Sequence, residues 1–111
     1  MAEIVPKLLY IGNLQMGNAY TAPSASGSYA IVKSINVCNT GTANETFTAN
    51  LVLPGNTNGV QNKILADVVL SGSNTFSYET SIVVPAGSSI YLSQPTNNLT
   101  FTISGVEYNV V

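Results

Sequence analysis

The sequence predicts an all-β domain, an antiparallel β-sandwich of about eight strands with jelly-roll or immunoglobulin-like topology. Three observations predict it. Apolar residues alternate with Thr, Ser and Asn over successive short segments, the period of a strand with one buried face. Clusters of Gly, Asn, Ser and Thr break these segments about every 8–12 residues, the spacing of a sandwich or barrel. No segment holds a helical period long enough to require a helix. The length of 111 residues fits one domain, and 45% hydrophobic residues can form a core without disulfides.

The elements follow in order. Residues 8–14 form a first short extended segment, and residues 18–27, with Pro23 among Ala, Ser and Gly, read as a loop. Residues 29–38 are a strong strand, with Ile31, Ile35 and Val37 on one face and Val32, Ser34, Asn36 and Cys38 on the other. Lys33 falls on the apolar face and is expected at a strand end or a sheet edge. Residues 45–53 alternate cleanly, Phe47, Ala49, Leu51 and Leu53 against Thr46, Thr48 and Asn50, and pair with the preceding strand as a hairpin. Residues 54–59 are a turn. Residues 63–70 fit a strand or a short helix, and their length and β-branched residues favour strand. Strands follow at 76–84 and 89–93. In the last segment Leu99, Phe101 and Ile103 alternate with Thr100, Thr102 and Ser104, and after Gly105 the apolar phase moves to Val106, Tyr108 and Val110. A phase change at a glycine predicts a bulge there. The expected core is Ile31, Ile35, Val37, Phe47, Leu51, Val68, Ile90, Phe101 and Ile103.

The residue types restrict the chemistry. His, Arg and Trp are absent, and charged residues make up 7%, against about 25% in an ordinary soluble domain. A general base near neutral pH is usually His or a tuned carboxylate or Lys. The carboxylates Glu45, Asp67, Glu79 and Glu107 lie singly on different expected strands and read as solvated outer-face charges. No catalytic residues, cofactor or metal site are expected, since zinc and calcium ligand clusters do not occur. Lys7, Lys33 and Lys63 stand alone, so the basic footprint of a nucleic-acid binder is missing. No apolar run approaches the roughly 20 residues of a membrane span, and no signal-peptide pattern is visible. Cys38 has no partner for a disulfide and reads as a small buried residue.

Three stretches carry a resemblance. They are Tyr20-Thr21-Ala22-Pro23 followed by residues 30–35 and Val37-Cys38-Asn39-Thr40-Gly41, then Ile82-Val83-Val84-Pro85-Ala86-Gly87-Ser88-Ser89-Ile90-Tyr91, then residues 101–107. In this order they resemble small virion structural proteins of tailed bacteriophages. In that group a Tyr-Thr-x-Pro loop leads into a strand ending near Cys-Asn, and an Ala-Gly turn precedes the last hairpin. The resemblance implies a compact β-sandwich attached to a particle and made in the cytoplasm of a bacterial host.

The expected function is therefore a non-enzymatic virion protein that decorates or stabilises the capsid. The alternatives are a tail, neck or baseplate component or fibre adaptor, and a small carbohydrate-binding adhesion module. Its expected partners are other virion proteins and itself, as a homo-oligomer with a trimer first, and neither nucleic acid nor membrane. Residues 1–18 are read as a contact arm and 19–111 as the sandwich. The arm holds Ile4 and Val5, and the expected interface residues are Leu8, Leu9, Tyr10, Ile11, Leu14, Met16 and Tyr20. A contact of this apolar kind resists salt.

Overall fold

The computed structural model of the chain describes residues 2–57, 59 and 62–110. The side chain of Ile4 and residue Asn58, within the expected turn, lie outside the described residues. Eight strands run in order: β1 (Ala2–Gly12), β2 (Met16–Thr21), β3 (Tyr29–Asn39), β4 (Glu45–Val52), β5 (Lys63–Leu70), β6 (Thr75–Pro85), β7 (Ser89–Ser93) and β8 (Leu99–Val110). No α-helix occurs among the described residues.

The strands form two four-stranded sheets, ordered β1-β8-β3-β6 and β2-β7-β4-β5. The pairing is nested and antiparallel throughout: β4 with β5, β3 with β6, β2 with β7 and β1 with β8. The chain is thus one long hairpin, bent between β4 and β5. It is wound until β8 also pairs with β3, and β7 with β4. That winding is a jelly roll, and it decides between the two topologies the sequence allows.

The core lies between the sheets. All three phenylalanines meet there: Phe47 of one sheet sits edge-on to Phe76 and Phe101 of the other, with ring centroids 5.8 and 5.6 Å apart. Such pairs add about 0.5–1.5 kcal/mol each beyond their buried area. Ile35, Val37, Ile90 and Ile103 are fully buried around them, and Leu51 and Val68 pack against the cluster half-buried. The alternation also buries Val32, Val84, Leu92 and Leu99.

Several expectations need correction. β3 and β4 do not pair as the expected hairpin: the chain crosses between them from one sheet to the other, β3 lying between β8 and β6 and β4 between β7 and β5. The segment read as an arm supplies β1 and the start of β2, paired along β8 and β7, and so belongs to both sheets. β2 occupies part of the expected 18–27 loop. Its Gly17, Asn18 and Ala19 are poor strand formers, and pairing with β7 alone holds them extended. In β3 the register slips between Val32 and Ser34, against both neighbours. Val32 therefore points inward and Ile31 outward, half-exposed, and Lys33 sits in mid-strand on a central strand, exposed and donating to the Ser81 hydroxyl at 2.8 Å. Cys38 is exposed on the outer side of the same strand.

A last correction concerns β8, which has no bulge at Gly105. Its burial alternates without a break from Leu99 to Tyr108. The slips lie instead in its neighbours, at Lys33 of β3 and between Leu8 and Tyr10 of β1, both facing Ser104. A glycine is still required. A Cβ on Gly105 would stand 2.0 Å from the Ile31 carbonyl oxygen and 3.2 Å from the Val32 Cα, and backbone at that distance cannot move aside like a side-chain tip. Gly105→Ala should accordingly cost about 3 kcal/mol in denaturant unfolding, while Ser104→Ala should stay within about 0.5 kcal/mol. Equal effects of the two would contradict the close approach of β3 to β8.

Candidate functional site

The carboxylates do not converge. Among the described residues no three of His, Cys, Asp and Glu gather as metal ligands. Glu79 is exposed on β6, and Asp67 is exposed on β5, accepting from the Thr48 hydroxyl at 3.2 Å. Glu45 and Glu107 depart from the expected solvated placement. Glu45 is buried and accepts from the Asn98 amide at 3.0 Å, and Glu107 is buried in the body of the sandwich.

Glu107 comes inward because β8 keeps its alternation through Gly105. An unpaired charge there would cost several kcal/mol, and three groups answer it. Tyr20, on β2 of the opposite sheet, donates its hydroxyl to one carboxylate oxygen. Lys7 of β1 donates to the other at 3.1 Å, as an ion pair, and Asn109 donates at 3.5 Å. The carboxylate thus ties edge strand β1, central strand β8 and the facing sheet together. Burial pushes the Glu107 carboxyl up, but the hydrogen bonds from Tyr20, Lys7 and Asn109 and the Lys7 charge outweigh it and hold the carboxyl below its ordinary range. Burial, then the hydrogen bond to Glu107 and its charge, push the Tyr20 hydroxyl well up. Tyr20 is therefore a protonated donor across the whole physiological range.

Side-chain amides hold the turns. Buried Gln94 donates to the Leu14 and Leu99 carbonyls at 2.9 and 3.0 Å and accepts from the Leu99 amide at 3.0 Å, joining two turns at one end of the sandwich. Buried Asn39 donates to the Ala43 and Leu70 carbonyls and accepts from the Gly41 amide. Asn50 donates to the Gly59 carbonyl and to Asn62.

The expected interface residues divide by burial. Leu8, Ile11 and Met16 are exposed. Tyr10 and Leu14 are half-buried, with the Tyr10 hydroxyl accepting from the Leu14 amide at 3.1 Å. Leu9 and Tyr20 are buried in the core. Leu8 and Ile11 lie on the outer side of the β1-β8-β3-β6 sheet, which carries further apolar residues. Tyr29 and Tyr108 stack there with centroids 4.9 Å apart and planes 13° from parallel, and Val106 faces Ile31 beside them. A separate groove of about 270 Å³ is lined by Met16, Thr46, Thr48, Asp67, Ser93 and Pro95. Asp67 is held there at a φ of 47°, unusual for a residue with a Cβ.

The chain is similar in fold to a chain in the structure of infectious bursal disease virus Gx strain. The match covers 97% of this chain and 32% of that one at 16% identity, with a TM-score of 0.50. This chain therefore spans about a third of its neighbour's length, and at that identity the likeness is one of fold. No protein-family model and no curated protein matches the chain.

Two measurements probe the buried carboxylate. Tyr20→Phe removes a donor to a charged group and should cost about 1.5–3 kcal/mol in denaturant unfolding. A carboxyl held below its unfolded-state pKa stabilises the fold fully above about pH 4.3 and loses that contribution as pH falls through the folded-state value. Wild type should therefore be the more stable at pH 7, and its advantage over Glu107→Gln should shrink on acidification below about pH 4. Melting curves whose gap stays constant from neutral to acid would contradict the bridge.

Proposed function

We propose that this protein is a non-enzymatic structural component of a virus particle, and that the particle is a tailed bacteriophage. The observation that carries the particle reading is the fold: a jelly roll that aligns, over nearly its whole length, with a chain from a virus structure. Jelly rolls also serve lectins and cupins, so the fold is weighed with the side chains. The described carboxylates are dispersed or engaged in holding strands, and no His exists to act as a base. The three sequence stretches that resemble phage virion proteins support the phage assignment. Within the particle, decoration or stabilisation of the head shell is the first role, and a tail, neck or baseplate position the second.

The groove beside Asp67 favours one further reading, an adhesion module. Its Thr and Ser hydroxyls and lone carboxylate are the donor and acceptor set that a sugar would meet. A glycan array separates that reading from a purely structural one.

Purified particles test the proposal. Quantitative mass spectrometry should find the protein retained after gradient purification. Head decoration predicts hundreds of copies, and a tail or neck position predicts threes, sixes or twelves, on the symmetry of such assemblies. Particles lacking the protein should still package nucleic acid but lose infectivity faster on heating. Absence of the protein from purified particles would overturn the proposal.

A further inference from the structure

We infer that the outer face of the β1-β8-β3-β6 sheet is the contact surface for a second copy of this chain. This goes beyond the particle reading and does not depend on it. The half of this face beyond Ser104 is apolar where a solvated sheet would be polar. Tyr29 and Ile31 of β3, Val106 and Tyr108 of β8 and Val83 of β6 share it in register, and Leu8 of β1 faces Ser104 at its border. Val83 is 54% exposed and Leu8 53%. The Tyr29–Tyr108 stack at its centre is a large, rigid contact area of the kind favoured at interfaces. The other half carries Ser34, Asn36, Thr102 and Ser104, with Ile11 of β1 beside Thr102 at the edge.

Three features commit the face to a copy of itself. The first is the edges. β1 and β6 are the sheet's outer strands. β1 carries Pro6, which has no N–H to offer, and β6 ends at Pro85 and slips register opposite Lys33. These devices discourage a strand from adding at the edge and leave the face as the surface for contact. The second is charge. Among the described residues the apolar half carries no charged side chain, since Lys7, half exposed at the sheet edge, is paired with Glu107. The rest of the face has one cation, Lys33, and one anion, Glu79. A face meeting its own copy about a two-fold axis therefore meets no like-charge cluster. The third is area. Four strands about 4.8 Å apart and about eleven residues long make a face on the order of 700 Å², close to the roughly 800 Å² per partner of a stable interface. An isologous contact closes at two, whereas the trimer expected from sequence needs two different complementary surfaces.

Light scattering on the intact protein tests this. At about 100 µM the mass should be twice the 11.6 kDa of one chain, and it should hold in about 1 M salt, since the centre contains no ion pair. The double variant Leu8→Lys, Val83→Lys should be monomeric, with the dissociation constant raised at least about 100-fold. Val69→Lys, on β5 of the other sheet and 63% exposed, should remain a dimer. Circular dichroism and melting temperature should match wild type in both variants, which separates lost contact from lost fold. A monomeric wild type, a trimer, or a double variant that stays dimeric would each overturn the inference. So would a monomeric wild type whose particle binding is lost in the double variant, because the face would then dock on another particle protein. That last outcome would leave the particle reading intact.

Discussion

The upper end of this sandwich depends on one constraint: β8 keeps its inward–outward alternation through Gly105. Ile31 and Val32 of β3 press against the glycine from one side, and only a residue without a Cβ fits. With the phase kept, the next inward residue is Glu107 and the outward ones are Val106 and Tyr108. An acidic residue thus enters the interior while apolar residues leave it. The buried bridge to Tyr20 and Lys7 answers the first consequence. The apolar outer half of the sheet is the second, and it is the surface that self-association would cover.

The same economy runs through the molecule. With three cations and five acids in the whole chain, buried polar groups are satisfied by amides and hydroxyls. Asn39, Asn50 and Gln94 each bond to backbone of a neighbouring turn, and the Thr21 and Ser89 hydroxyls bond each other at 2.9 Å. A neutral amide offers donors and an acceptor without the desolvation cost of an ion. Connections around a jelly roll can therefore be fastened with little charge. Among the described residues the Ser88 hydroxyl is buried without a partner, and nothing in the structure explains it.

Period-two alternation made most of the fold legible. The apolar residues of β4, β7 and the first half of β8 recur at alternate positions, and among them Phe47, Ile90 and Phe101 form the core. β5, ambiguous by period, is a strand held against β4. Other features left weak local signals. β2 contains Gly17, Asn18 and Ala19 and exists because β7 lies beside it. Lys33 looked like an edge residue because a single sequence shows no bulge, and the slip there exchanged the faces of Ile31 and Val32. Glu107 and Glu45 looked solvated because carboxylates usually are, and the partners that bury them lie far away in the chain, Tyr20 by 87 residues and Asn98 by 53. Among the expected interface residues, Leu8, Ile11 and Met16 were legible as exposed only once β1 and β2 were known to be sheet strands. The stacked tyrosines depend on a cross-strand register that no local pattern reveals.

Carboxyl footprinting by carbodiimide labelling and mass spectrometry tests the phase of β8 most directly. Glu79 lies exposed on an outer face, and Glu107 is 6% exposed between the sheets. The account predicts rapid labelling of Glu79 and strong protection of Glu107 in the native protein, with the difference abolished on unfolding. Labelling of Glu107 as fast as Glu79 in the native protein would mean that β8 changes phase at Gly105 after all, with Val106 and Tyr108 in the core.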